Sequence, residues 1–497
     1  MPGSAPASSR SLPRTDRRSQ HRTVSSDVAF AEKQPALTGQ QRDVVFLKPD
    51  GHCVVLGAAG SGKTTMAIHR AGFLATAPGI GGPTLLVTFN STLATHLRSV
   101  CEGQSNLTIE TYHSFALDYL KSRGEKHLRV FKRTEDCVAQ ALAEIRGVGP
   151  FPAATVNRPV EFFEDEIHWM VGHGVVTRDE YLADVPRLGR AAPLVSDDRE
   201  AVFAVYQRYM RLRAGLGYRF DWDDLAGHVL RHLAYDNSRR RFRHVVVDEG
   251  QDFTPQMVRS LAAMIPPTGS LTFFGDYGQQ MYGCRMSWRS VGLDLSDGVV
   301  HFDHNHRNTP QIAALAEAMA EMSHFQDGVD MVAPVAVTAD GSKPCVVRVR
   351  EPDRQLAVAA AMAKIRAATK RVGILVRTRA AVYALAPYLD QEENVYKLDR
   401  GLQSWPIGPG IFYGTYHSSK GIEFDDVILP LCDAEDLPVK REIEVLGIDE
   451  AIARESRRLY VAVTRAKDEL LILHGGVLTS LMPPEASRLF AVMEVDS

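Results

Sequence analysis

Cysteine is scarce in this 497-residue chain: six residues, Cys53, Cys101, Cys137, Cys284, Cys345 and Cys432, with no C-x-x-C pair among them. That scatter argues against a disulfide framework, a zinc site or an iron–sulfur cluster, and for a reducing, cytoplasmic setting. Long apolar runs are missing too. No stretch approaches the roughly 20 residues needed to cross a bilayer, and no apolar signal core opens the chain, so no membrane association is expected. Charge of one sign is also lacking, since 57 Lys and Arg face 60 Asp and Glu for a net charge of −3. Any nucleic-acid surface is then a local groove and not a basic field over the whole molecule.

What is present is an ordinary globular composition, 45 % hydrophobic and 24 % charged, long enough for two or three domains. Residues 1–35 stand apart. Arg10, Arg14, Arg17, Arg18 and Arg22 lie among Ser, Pro and Gln without apolar periodicity, which predicts a disordered basic tail.

The stretch with the most chemistry is HCVVLGAAGSGKTT, His52 to Thr65. An apolar strand runs into Gly57-Ala58-Ala59-Gly60-Ser61-Gly62-Lys63-Thr64, a match to G-x-x-x-x-G-K-[ST] followed by a helix from Thr65 to Leu74. The glycines let successive backbone N–H groups point inward, and the helix presents its positive dipole end to the same anion. This is a phosphate-binding loop. In it Lys63 reaches the β and γ phosphates and Thr64 turns its hydroxyl to Mg²⁺. Upstream, the paired donor and acceptor of the Gln41 amide suit an adenine edge.

Apolar strands then alternate with helices: Thr84 to Phe89, a helix capped by Asn90, and Leu107 to Glu110 before Thr111-Tyr112-His113. The alternation predicts a parallel sheet covered on both faces, with ligands at the carboxyl ends of its strands. From 117 to 219 apolar residues recur at three and four, which reads as a helical insertion. Phe220-Asp221-Trp222-Asp223-Asp224-Leu225 opens another helix, its aspartates read as an N-cap cluster.

RHVVVDEGQ, Arg243 to Gln251, is a buried strand ending in two carboxylates. Asp248 suits the magnesium shell, and Glu249 can take the proton of an attacking water. SLTFFG, Ser270 to Gly275, repeats the format and delivers Asp276, Gln279, Tyr282 and Arg285; the Gln279 amide can hold a γ-phosphate oxygen and the in-line water together. After Leu293 a second strand series begins, with Val299–Phe302 as its first member and no second phosphate loop. The expected organisation is therefore a first α/β domain over 36–292 and a second over 293–497 that faces the nucleotide of the first. From that second domain Arg307 and Arg465 are candidate fingers, each able to neutralise charge on a transferred phosphoryl group and worth about 10³ or more in rate. His301, His304 and His306 lack the carboxylate or thiolate that would complete a metal site at recognisable spacing.

Taken in order, LTGQQR, GAAGSGKTT, VTFNSTLA, TYHSF, FDWDDL, VVVDEGQD, FFGDYGQQMYGCR, HNHR, GILVRTR, TYHSSKGIEF and YVAVTRAK resemble the motif series of the UvrD/Rep/PcrA-type superfamily 1 helicases, from Leu37 to His474. The resemblance implies an α/β protein of two RecA-like P-loop NTPase domains with parallel sheets, ATP and Mg²⁺ between them, and single-stranded or tailed duplex DNA across the top. It implies motion 3′ to 5′ by an ATP hydrolase working in repair, recombination or DNA defence. It implies that Gln41 reads adenine, that Thr65 ends the phosphate cradle, that Glu423 approaches the ribose, and that His306 holds the place of the adenine-stacking aromatic. On the strand side it assigns Phe89, Thr111, His113, Tyr282 and His417. One departure is large: only about a hundred residues, Asn308 to Tyr413, separate the HNHR and HSSKG motifs, so the subdomain that large relatives insert there is expected to be reduced or absent. The compact build also resembles helicase-like subunits of antiphage systems such as Gabija, which implies an ATP- or DNA-sensing role beside a nuclease or other effector. RNA as the track is the third alternative.

Overall fold

The computed structural model describes residues 37, 39–126, 128–148, 150–183, 187, 194–276, 288–295, 298–302, 304–305, 307–325, 335–336, 340–390 and 392–494. The predicted tail, Gln279, Tyr282, Cys284, Arg285 and His306 lie outside the described residues.

Two parallel sheets organise the chain. The first has six strands, β1 (Gly51–Gly57), β2 (Thr84–Thr88), β3 (Leu107–Thr111), β4 (His244–Val247), β5 (Ser270–Gly275) and β6 (Val299–Phe302), in the order β3-β2-β4-β5-β1-β6. Along each strand alternate residues enter different cores. Val54, Leu56, Leu85, Val87, Val245, Val247 and Phe273 pack on one face, and Val55, Leu86, Val246 and Phe274 on the other. A strand apolar at every position is what a sheet buried on both sides requires. Helices α1 (Gly39–Val45), α2 (Lys63–Thr76) and α3 (Ser91–Val100) flank it, with α4 (Tyr112–Ser122) following β3 directly.

The helical insertion holds its own core through α5 (Thr134–Arg146), α6 (Val160–His173) and α7 (Ser196–Gly215), around Phe163, Trp169, Met170, Val202 and Tyr209. It begins later than expected. Phe115, Tyr119 and Leu120 of α4 belong to the first sheet's core, and an isolated bridge between Val130 and Phe220 closes the insertion at its neck. Just beyond the neck, Asp224 stands at the N-cap of α8 (Leu225–Leu233) but its side chain does not cap the helix; instead Asp221 Oδ1 accepts from the backbone of Asp223 and Asp224 and braces the turn before it. The same Asp221, with Asp224, grips Arg213 of α7 at 2.6 Å each, the guanidinium being 2 % exposed. After β4, α9 (Pro255–Ala263) packs against α8.

The domain boundary needs correction. Val299–Phe302 pairs in parallel with β1, Val55 opposite Val300, so this strand completes the first sheet and does not open the second. A four-residue apolar run names a parallel strand without naming its neighbour. Past it, β7 (His304–Asn305) and β8 (Val335–Ala336) form a separate pair, with α10 (Pro310–Ala320) between them. The second sheet comprises β9 (Cys345–Arg348), β10 (Arg371–Val376), β11 (Val395–Lys397), β12 (Gly410–Thr415), β13 (Phe424–Leu429), β14 (Ala466–His474) and β15 (Ala491–Glu494), ordered β11-β12-β10-β13-β14-β9-β15. Helices α11 (Pro352–Arg366), α12 (Arg379–Leu385), α13 (Lys440–Leu446) and α14 (Ile448–Val463) accompany it. Four of these strands and two of these helices use residues between Asn308 and Tyr413, so that interval goes largely into the second core. No helix among the described residues is long and apolar enough to cross a membrane.

Arg213→Met strands two buried carboxylates at the neck of the insertion, and breaking a buried pair in this way costs about 3–5 kcal/mol. Chemical denaturation followed by circular dichroism measures it; a midpoint equal to that of the unaltered protein would show that the insertion is not anchored by this cluster.

Candidate nucleotide and nucleic-acid site

The carboxyl ends of β1 to β5 line one edge of the first sheet, and the segments that follow them build the site. After β1 the loop is close-packed. Gly60 and Gly62 have φ of +79° and +83°, a region L side chains rarely adopt. A Cβ on Gly60 would come within 2.1 Å of Asn305 Oδ1, and one on Gly62 within 2.8 Å of the Gln41 amide. Gln41 donates to the Ser61 carbonyl at 3.1 Å, which ties α1 to the loop. The Lys63 ammonium is held by the carbonyls of Gly57 and Ala58, both at 2.7 Å, and by Asp276 at 3.5 Å. Burial lowers the Lys63 pKa, Asp276 and Glu249 oppose that, and Arg307 and Arg465 add to it. Thr65 lies one turn into α2, half-buried.

At the end of β4 two adjacent carboxylates take opposite characters. Asp248 is 1 % exposed, and burial followed by the charge of Glu249 pushes its pKa up to about 7. Neither of its oxygens completes a hydrogen bond of normal geometry, although the Thr64 hydroxyl stands beside them and favours the ionised form. An orphaned buried carboxylate next to a hydroxyl fits a hard cation. No group of three or more His, Cys, Asp or Glu among the described residues could hold a metal alone. A cation bound here therefore draws its other ligands from phosphate and water, as Mg²⁺ commonly does. Glu249, in the left-handed region at φ 54°, accepts from the Gln251 amide at 2.5 Å. Burial raises its pKa, but Lys420, Arg465 and Lys63 outweigh this and the net shift is downward, so Glu249 is a carboxylate at neutral pH. Gln251 also accepts from the Asp276 backbone at 3.0 Å, joining the ends of β4 and β5.

The second lobe supplies cations to this edge. Arg307 follows β7, where Asn305 Oδ1 accepts from the backbone of Arg307 and Asn308 and locks the turn. The Arg307 Cβ lies 3.0 Å from where a Gly60 Cβ would stand. Its guanidinium is paired to Glu423 at 2.6 Å, and Glu423 also meets Lys467 at 3.4 Å. So Glu423, expected near a ribose, here orients the arginine. Arg465, fully buried, donates to the Val461 carbonyl at 2.9 Å. Burial and then Arg307 lower its pKa to about 10, while Glu249, Glu423 and Asp276 resist. Lys63, Glu249, Arg307 and Arg465 thus share one electrostatic cluster drawn from both lobes.

The predicted nucleic-acid residues fall into two groups. Phe89, at the end of β2, meets His113 edge to face with ring centroids 5.3 Å apart, and His113 meets Trp222 at 5.1 Å. Thr111 caps α4 by accepting from the Ser114 backbone. His417 belongs to the second lobe, its carbonyl accepting from Asn90 at 3.3 Å. Burial holds both His113 and His417 down to about 4, so both rings are neutral at physiological pH. Trp222 was read only as part of a capping segment. An aromatic set among three aspartates is the signal that marks it, since a polar turn needs no ring there.

A fully buried bond also joins the lobes. Lys420 of the HSSKG motif and Asp252 of the DEGQD run form an ion pair at 2.6 Å with both side chains 1 % exposed. Around it the Asn90 amide reaches the carbonyls of Ser418 and Lys420, and a Cβ on Gly421 would come within 2.4 Å of Leu93.

Comparison with known proteins agrees with this geometry. Residues 37–296 match the UvrD/REP helicase N-terminal domain, more than half of the chain, and residues 395–474 match the UvrD-like helicase C-terminal domain. The chain belongs to the UvrD/Rep helicase family. It is 26 % identical to ATP-dependent DNA helicase UvrD2 of Mycobacterium tuberculosis over 90 % of this chain and 79 % of that one. DNA helicase IV of Escherichia coli is 24 % identical over 89 % and 68 %. The UvrD2 alignment runs over 571 positions against 497 residues in the whole of this chain, so at least 74 positions have no counterpart in this UvrD/Rep-type protein. Its compactness relative to that helicase is thus independent of the motif count.

Lys420→Met keeps the length of the side chain but leaves the buried Asp252 carboxyl without its partner, a loss of about 3–5 kcal/mol on unfolding. Adding Asp252→Leu should return most of it. Urea titration of the single and double variants checks the coupling, and additive losses would show that the two groups do not act as a pair.

Proposed function

We propose that this protein is an ATP-dependent DNA helicase or translocase that moves 3′ to 5′ on single-stranded DNA, in repair, recombination or DNA defence. The observation that carries the reading is the convergence of Lys63 and Glu249 from one lobe with Arg307 and Arg465 from the other. Hydrolysis at such a cluster responds to the distance between the lobes, which is what a motor requires.

In this mechanism the loop amides from Ala58 to Lys63 cradle the phosphates of ATP, and the Lys63 ammonium exchanges its carbonyl and Asp276 contacts for β and γ oxygens. Gln41 borders the loop on the base side. Thr64 and Asp248 would hold Mg²⁺, which would supply neutralisation of phosphate charge. Glu249, ionised and oriented by Gln251, takes the proton of the attacking water. Arg465 and Arg307 neutralise charge on the transferred group, and Glu423 aims Arg307. Gln279, by family likeness, couples the γ-phosphate to the strand.

On the DNA side Phe89, His113 and Trp222 offer π-faces and His417 approaches from the second lobe. Stacking worth about 1–3 kcal/mol per base ignores sequence, as translocation must. Tyr282 and the adenine-side His306 join this proposal by likeness alone. DNA is preferred over RNA because UvrD2 and DNA helicase IV are named as DNA helicases. Polarity rests on the same family likeness. The effector-subunit alternative is supported by the compact build alone.

Glu249→Gln is expected to keep nucleotide binding and lower DNA-stimulated ATPase by about 10²–10⁴. Arg465→Ala is expected to lower it by about 10³. A duplex with a 3′ single-stranded tail should be unwound and one with a 5′ tail should not. ATPase indifferent to single-stranded DNA, or unaltered in Glu249→Gln, would overturn the reading.

A further inference from the structure

Helices α4 and α8 both start at the aromatic row and run away from it together. Phe115 and Tyr119 of α4 share a core with Val229 and Leu233 of α8. At about 1.5 Å per residue they end roughly 15 Å away. There a cavity of about 560 Å³ opens, lined by Arg123 past the end of α4, Arg231 and His232 at the end of α8, Arg219 from the neck of the insertion, His228 and Asp236. None of these residues belongs to the nucleotide cluster or the aromatic row.

Its charge is unbalanced. Arg123 and Arg240 share the single carboxylate of Asp236, at 3.3 and 3.4 Å, and Arg219 shares Glu125 with His232. Arg231 forms no ion pair among the described residues and is exposed. Beyond Asp236 the chain continues through Ser238-Arg239-Arg240-Arg241, with Arg239 and Arg241 exposed as well. The field is felt inside: burial, then Arg231, Arg213 and Arg219, hold the His228 imidazole down to about 3. In a chain of net charge −3, a concave site where arginines from three segments outnumber carboxylates is the local basic footprint that composition alone required.

We propose that this cavity and the adjoining arginine ridge form a second phosphate-binding site, holding the phosphodiester backbone of the same nucleic-acid strand where it passes beyond the aromatic row. Guanidinium forks suit phosphate oxygens, and arginines dominate a lining that also includes the exposed Tyr235, a balance that favours backbone over base recognition. A span of about 15 Å corresponds to about four nucleotides of stacked strand at 3.4 Å each. The site therefore engages only nucleic acid longer than the row itself occupies. This inference rests on the nucleic-acid reading of the row.

The test is fluorescence anisotropy on the full chain with oligothymidylates of about 8 and about 20 nucleotides, across a salt series. The unaltered protein should prefer the longer one. Arg231→Glu should reduce affinity for it at least about fivefold and its salt slope by about one, with the shorter one bound as before, while Arg231→Lys retains the preference. Thermal unfolding checks that the variant is folded. Equal loss for both lengths, or no loss for either, overturns the site. Inorganic pyrophosphate, tested directly, distinguishes a free-anion pocket: if it binds the unaltered protein, Arg231→Glu abolishes that binding, and the length preference is unchanged, the strand assignment falls. If neither oligonucleotide binds the unaltered protein, the proposed function fails as well.

Discussion

The buried ion pair between Asp252 and Lys420 fixes the geometry on which the rest of the site depends. Asp252 lies four residues beyond Asp248 and three beyond Glu249, so it belongs to the same strand end as those two carboxylates. Lys420 lies three residues before Glu423, which in turn grips Arg307. One contact thus sets the position of the first lobe's carboxylates against the second lobe's guanidinium. Burial pushes the Asp252 pKa up to about 6 even with Lys420 opposing it, a sign that desolvation is nearly as large as the attraction. Such a pair contributes less to net stability than to choosing one arrangement of the lobes.

That arrangement sorts two adjacent carboxylates by their surroundings. Asp248 faces Thr64 and has no cation of its own, so its charge is disfavoured until one is bound. Glu249 faces Lys420, Arg465 and Lys63, so its charge is held. Groups of the same chemistry pushed apart in pKa are how a site divides roles between them. Here the division follows from the different partners of the two side chains, Thr64 beside Asp248 and the Gln251 amide on Glu249.

Much of this was legible in the residues. A phosphate loop, strand-end carboxylates and two arginines are local signals, and the strands on which they ride are apolar at every position. What was not legible is pairing. Val299–Phe302 has the composition of any parallel strand, and only its register against β1 places it in the first sheet. The short edge strands β11 and β15 carry little apolar signal because an edge strand buries less. Asp252 and Lys420 lay inside recognised motifs, but 168 residues apart in sequence, and a polar pair declares itself only when both partners lose water together. Trp222 was hidden by the aspartates around it, a case of one local explanation obscuring another.

The helical insertion is not an appendage. From α6, Glu161 pairs with Arg441 and Asp165 with Arg454, and Val445 of α13 packs against the insertion's own core. The insertion, rooted in the first lobe at Arg213, therefore touches the second lobe directly. The two bridges differ in strength. Glu161–Arg441 is exposed, a class of pair worth about 0–1 kcal/mol, whereas Arg454 is only 7 % exposed and is shared with Glu450. Separation of the lobes at the nucleotide cleft must then either rotate about Asp252–Lys420 while the outer pair breaks, or carry the insertion along with the second lobe through Arg454. In a protein short of the added residues that its longer relatives possess, the insertion and α13–α14 connect the first lobe to the second outside the nucleotide cluster.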